Sequence, residues 1–350
     1  VETVTSYPII PVAVVPGLGQ ASFVFNNRRD PTRTTALRHA FASQMTKRFR
    51  HLRGLIWRAI VEEDVFGLLN PSEQDITVLQ TPGFRRFAFP RSSEKVSQFM
   101  AWLQQQVDGG ILQVSQFTQV GQAVEAAWTN VYIQDSYRRG VARARSQLRR
   151  GGFEGIPTIE ETGGIGVSMA NPFHIDRVGL LYTRTFNELK GITDAMSQHI
   201  SRVLSQGIAD GLHPRTLARQ LNGVIRGTGG DLGLRDALGR FIPAERRAII
   251  LARTEIVRAH SEAQLQEFAN WGVENVHVKA EWITAGDNRV CNQCANLEGS
   301  VFTIEQARGM LPLHAQCRCA WLPWKTGNPT REWNDLPAVR SGELPKLKDV

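Results

Sequence analysis

Cys291-Asn292-Gln293-Cys294 and, farther on, His314-Ala315-Gln316-Cys317-Arg318-Cys319 hold all four cysteines of this 350-residue chain and one of its eight histidines. Two thiolates at C-x2-C spacing reach one tetrahedral ion from a single turn, and His-x2-Cys supplies a second pair from another turn. Five donors, Cys291, Cys294, His314, Cys317 and Cys319, compete for four positions, so either His314 or Cys319 stands outside the shell while Cys317 belongs to both choices. The alternative, two disulfides, is disfavoured because vicinal C-x2-C and C-x-C pairs are awkward partners and nothing else in the chain calls for an oxidised framework. A closed shell indicates a structural rather than a catalytic zinc, which would keep one position open.

The pattern around this stretch has period two. Val276, Val278, Ala280 and Trp282 alternate with His277, Lys279 and Glu281, which predicts a strand. Gly286-Asp287-Asn288 turns the chain into the first cysteine pair, Glu298 to Thr303 reads as a second strand, and the second pair runs into Ala320-Trp321-Leu322-Pro323-Trp324. Upstream the period becomes helical. Pro243-Ala244-Glu245 opens a helix through Ile249, Ile250, Ile256, Val257, Leu265 and Phe268 to a stop at Gly272. Arg253 and His260 lie near its apolar stripe, as a catalytic dyad or a structural polar clamp. The clamp is the better reading, since arginine stays charged and no nucleophile is marked nearby. The fold class is therefore α+β, mainly α: long helices followed by a small C-terminal β domain with a zinc-binding Cys/His cluster.

Further upstream, Leu37, Phe41, Met45, Phe49, Leu52, Ile56 and Ile60 form one stripe of a helix entered at Asp30-Pro31. A low-order hairpin is expected about Pro82-Gly83, a helix from Ser92 to Gly109, another from about Thr118 to Leu148, a long one from Ile175 to about Gly211 and a short one after His213-Pro214. Residues 151–172 contain six glycines and two prolines and read as a flexible connector. The predicted organisation is an extended N-terminal arm (1–30), a helical domain with basic faces (31–150), the Gly-rich linker (151–172), a helical core (173–272), the β zinc module (273–325) and a surface tail (326–350).

The formal net charge of +8 is concentrated. Arg28 to Val61 carries nine Arg/Lys against Asp30 alone, and Arg138 to Arg150 carries six arginines and no acid, so the remainder is net acidic. Lys47, Arg50, Arg53 and Arg58 in the first window, and Arg138, Arg139, Arg143 and Arg145 in the second, are the candidate contacts to phosphate or to an acidic partner. Two solvated helix faces would have the same composition. No apolar run reaches the length of a membrane span. His-Glu-x2-His and a nucleophile elbow are both absent from the sequence.

Three features coincide in order: Ala252-Arg253-Thr254-Glu255 on a helix; Asp287-Asn288-Arg289-Val290-Cys291-Asn292-Gln293-Cys294 followed by Leu297-Glu298-Gly299; and Leu313-His314-Ala315-Gln316-Cys317-Arg318-Cys319. Over about residues 175 to 325 this resembles the phage Mu F-like minor head, or head morphogenesis, family of tailed bacteriophages. Leu313 and Ala315 replace the prolines common around the histidine in that family, without removing a donor. The resemblance implies a non-enzymatic virion protein of the phage head interior, made in the host cytoplasm, whose partners are the portal protein, the major capsid protein and, non-specifically, double-stranded DNA. The competing reading is a zinc-dependent or toxin-like enzyme, a nuclease or transferase, with Arg253, Glu255 and His260 near a pocket. A third is a host nucleic-acid-binding module relying on the same basic windows.

Overall fold

The computed structural model describes residues 30–68, 92–112, 127–226, 242–272 and 278–324. The expected arm before Asp30, the hairpin about Pro82-Gly83 and the tail after Lys325 lie outside them. Helix α1 (Thr35–Trp57) buries Leu37, Phe41, Met45, Phe49, Leu52 and Ile56, and a π-helical turn at Arg58–Glu62 carries the stripe on to Ile60. Spacings of three and four put these side chains on one side of the helix, as expected. The helix starts later than Asp30-Pro31 suggests. Asp30 folds back and accepts the backbone N–H groups of Thr32 (3.1 Å) and Thr35 (2.7 Å) while pairing with Arg38 at 2.9 Å, so it serves the first turn from outside it.

Then come α2 (Ser92–Gln106), which continues as a π-helical segment Val107–Leu112, α3 (Asn130–Arg150), the short α4 (Ile165–Met169), α5 (Pro172–Ala209), α6 (Pro214–Arg226) and α7 (Ala244–Gly272). Helix α7 is the axis, with α1, α3, α5 and α6 all packed on it and α3 the most extensively. Its buried residues accordingly lie on several sides, Ala248, Ala252, Ile256, Ala259, Ala263, Leu265 and Phe268 among them. Gly140 sets how near α3 comes. A Cβ there would stand 2.5 Å from the His260 carbonyl oxygen and 2.6 Å from the Ala263 Cβ. At the same crossing Ser136 Oγ donates to the Ile256 carbonyl at 2.6 Å.

One apolar core runs from Leu37 in α1 through Tyr137 in α3 and Leu189 in α5 to Ala263 in α7. Helices on either side of the Gly-rich stretch thus share their interior. That stretch, expected to be a slack connector, is a series of hydrogen-bonded turns leading into α4, with Phe153 buried. Gly152, Gly155, Gly163 and Gly164 supply the positive φ angles those turns need, which is a reason for glycine other than flexibility. Its last residues open α5: Asn171 caps by accepting the Phe173 N–H at 3.0 Å, and Pro172 occupies the first helical position.

After α7 come β1 (Lys279–Ile283), α8 (Asn292–Leu297), β2 (Val301–Phe302), α9 (Ile304–Ala307) and β3 (Ala320–Trp324), with antiparallel sheet order β2-β1-β3. The predicted second strand shortens to two residues because its ends have other tasks. Glu298 accepts the Thr284 N–H at 2.6 Å, Gly299 turns at a φ of 77°, and Thr303 caps α9 in a capping box with Gln306. Period two holds across the sheet. Ala280, Trp282 and Trp321 join a second core with Leu148, Phe153, Leu265 and Phe268, while Ile283, Ala320 and Leu322 pack on the opposite face. The β module is therefore seated on the C-terminal ends of α3 and α7. No helix among the described residues is long and apolar enough to cross a membrane.

Candidate metal centre

Two turns face each other at one end of the sheet. In the first, Cys291 stands at the N-cap of α8 and its Sγ accepts the Cys294 N–H at 3.4 Å. In the second, the Cys317 N–H donates to the His314 carbonyl at 3.1 Å, with Gln316 at a φ of 62°. His314 Nε2 lies 3.3 Å from Cys291 Sγ and 3.2 Å from Cys294 Sγ, and Cys294 Sγ lies 3.9 Å from Cys317 Sγ. The donors form two overlapping groups, Cys291/Cys294/His314 and Cys294/Cys317/Cys319, in each of which the ligand atoms lie within 4.8 Å of one another. All four cysteines are free thiols. Thiolate and imidazole donors at these separations fit a borderline-soft, tetrahedral ion.

The electrostatics show what a cation would relieve. Hydrogen bonds from Cys294 and Cys319 hold the Cys317 thiol far below the ordinary range, while the contact with Cys317 pushes Cys294 up and the contacts with Cys294 and then Cys317 push Cys319 up. Ionising more than one of these adjoining sulfurs sets like charges together in a buried place. A bound dication removes that restriction and favours the thiolates outright.

Around the donors lies a layer that the sequence reading did not find. Arg318, between the second pair of cysteines, donates to Asp287 through NH1 at 2.7 Å and NH2 at 2.5 Å, which ties the loop before Cys291 to the strand after Cys317. Hydrogen bonds from Arg318 and then Arg289 hold the Asp287 carboxyl well below the usual carboxylate range. The second turn is also fixed to α7. Gln316 donates its N–H to Thr254 Oγ1 at 3.1 Å and accepts from Arg253 NH1 at 3.0 Å. The signals were present, as the Asp287-Asn288 turn and the arginine inside C-x-C, but their pairing is a tertiary fact.

Residues 198–322 match the model of the family described as Phage Mu protein F like protein. Over these residues the chain is similar to that family. The match begins within α5, takes in α6, α7 and the five donors, and ends within β3. No curated protein and no solved structure matches the chain.

Within the Mu F-like region the structure does not join Arg253 and His260 in one clamp. Arg253 belongs to the Gln316 contact, whereas His260 is fully buried at the α3 crossing. Burial, then the Arg143 charge, push the His260 imidazole down to about 3, so it is neutral at pH 7. Glu255, the third member of the competing enzyme reading, turns to Arg184 and Arg258 at 3.5 and 3.3 Å. Arg253 and Glu255 thus serve two separate contacts, and the His260 ring is packed in the interior.

The basic windows also divide. Lys47 and Arg50 are exposed on α1, while Arg53 is half-buried and 3.9 Å from Glu245; Arg58, exposed on the π-helical turn, lies 3.7 Å from Glu62. In α3, Arg138 and Arg143 are half-buried and Arg139 pairs with Asp135 at 2.9 Å. Arg145 is a correction: only 4% exposed, it is an interior residue and not a surface contact. Its Nε and NH2 both reach Glu267 Oε1 at 2.7 Å, and its NH1 donates to Thr162 Oγ1 at 2.7 Å. Glu267 also accepts from Trp271 Nε1 at 2.8 Å and meets His174 Nε2 at 3.2 Å, and His174 Nδ1 lies 3.0 Å from the Tyr137 hydroxyl. With Nε2–H donating to Glu267, Nδ1 accepts from Tyr137 and every member has a partner. Burial alone would push the Glu267 carboxyl up, but the His174 hydrogen bond and the Arg145 charge outweigh it and hold it low. This buried network joins α3, the Gly-rich turns and α5 to the Mu F-like α7.

Proposed function

We propose that the protein is a minor structural protein of a tailed-phage head, non-enzymatic, that joins the portal and the major capsid protein during head assembly. The observation that carries this reading is the Mu F-like match over residues 198–322, which spans the axial helix and the whole cysteine module. The geometry supports it in three ways. The helices share one continuous interior, as suits a rigid assembly part. Of the side chains of the rival enzyme reading, Arg253 and Glu255 are committed to separate contacts and His260 is packed in the interior. The Cys/His cluster is placed to hold a zinc ion that closes the β module, with metal binding linked to folding.

Lys47 and Arg50 are the cations on α1 best placed for an acidic partner surface or packaged double-stranded DNA. Contact with DNA phosphates would be sequence-independent and strongly weakened by salt. Coexpression with the portal protein, followed by size-exclusion chromatography, tests the main proposal. Comigration with the portal oligomer is the expected result. Separate elution from both the portal and the assembled capsid protein would refute it.

A further inference from the structure

We infer that the metal shell is Cys291, Cys294, His314 and Cys317, and that Cys319 is a buried, uncoordinated thiol donating its S–H to the ligand sulfurs. This assignment rests on the metal reading of the cluster and goes beyond it by choosing among the five donors.

Three observations select the four. First, His314 is already oriented as a ligand. Its Nδ1 lies 2.9 Å from the Ala315 carbonyl, which fixes the proton on Nδ1 and leaves the Nε2 lone pair facing Cys291 and Cys294 at 3.3 and 3.2 Å. A second ring nitrogen held by a backbone carbonyl is the usual support of a metal-bound imidazole. Secondly, Cys291-x2-Cys294 and His314-x2-Cys317 share one spacing, the first turn closed by the Cys294 N–H on Cys291 Sγ and the second by the Cys317 N–H on the His314 carbonyl. The first turn directs both its sulfurs at His314 Nε2, and the Cys294 to Cys317 separation of 3.9 Å is that of two sulfurs on one tetrahedral ion. Thirdly, Cys319 belongs to neither turn. It immediately precedes β3 and is buried, with its Sγ within 4.8 Å of those of Cys294 and Cys317. From there its S–H can donate to either thiolate.

X-ray absorption of the zinc-loaded, full-length wild-type protein tests this without any variant. The expected first shell is three sulfurs at about 2.3 Å and one nitrogen at about 2.0–2.1 Å, with outer-shell imidazole scattering. Four sulfurs and no imidazole would overturn the assignment of His314. Cobalt substitution then separates the two remaining cysteines. Cys319→Ala should keep one equivalent of cobalt and the full thiolate charge-transfer band, whereas Cys317→Ser should lose about a third of that band or lose the metal. A Cys319→Ala protein that loses the band while Cys317→Ser keeps it would overturn the choice of Cys317. Wild-type protein that binds neither zinc nor cobalt would instead bring down the metal reading itself.

Discussion

At the scale of single residues, the largest energies sit where a polar group is buried with its partners. Glu267 is fully buried and answers Arg145, His174 and Trp271 together. Removing it strands a guanidinium inside the protein, so Glu267→Ala should cost about 3–5 kcal/mol in urea unfolding. Exchanging Lys47 and Arg50 for alanine should leave stability within about 0.5 kcal/mol and instead weaken binding to DNA or an acidic partner in low salt. Gly140 offers a steric counterpart. Gly140→Ala drives a methyl group into the α3–α7 crossing and should cost about 1–3 kcal/mol, while Gly179→Ala, with no atom near its added Cβ, should stabilise α5 by about 0.5–1 kcal/mol. His260 sets a pH dependence. Its folded pKa of about 3 lies below the ordinary 6.5, so its contribution is complete above pH 6.5 and is lost as pH falls from 6.5 toward 3. The slope approaches about 1.4 kcal/mol per pH unit in that window. Unfolding free energies from pH 7 to 5 should show it in the wild type, and His260→Asn should flatten it.

At the scale of elements, the helices with one wet face were legible and the internal connections were not. The α1 stripe from Leu37 to Ile60 was read residue for residue, because a regular spacing on a half-exposed helix has one interpretation. Arg145 was read as surface because a run of arginines looks solvated. Yet it falls beside Val141, Ala144 and Leu148 on the buried side, and its partner Glu267 is 122 residues away. The Gly-rich stretch misled for a related reason, since glycine marks both slack chain and tight positive-φ turns, and only tertiary contacts such as Arg145 to Thr162 distinguish them. The donors of the metal cluster were legible from spacing, but their supports, Asp287 with Arg318 and Gln316 with Thr254, were not. Asp287→Ala should leave the five donors in place and lower metal affinity by about 10–100-fold, measured by competition with a chelator.

For the whole molecule, two cores meet at the C-terminal ends of α3 and α7, one made by the helices and one by the β module. Losing the metal should open the second core and spare the first. Chelation, or Cys294→Ser, is expected to expose the paired Trp282 and Trp321, whose ring centroids lie 5.3 Å apart, and to admit protease within residues 278–324 while α1 and α7 stay protected. The Mu F-like region supplies both the axis and the module, and the basic α1 and the Arg145–Glu267 network bind the remaining helices to it. As proposed, this body is a built-in part of the phage head. Quantitative mass spectrometry of purified phage particles made from the genome that encodes this chain tests that claim most directly. The account predicts peptides from residues 30–324 in heads at a small, fixed ratio to the portal protein; particles complete in portal and capsid protein but lacking this chain would contradict it.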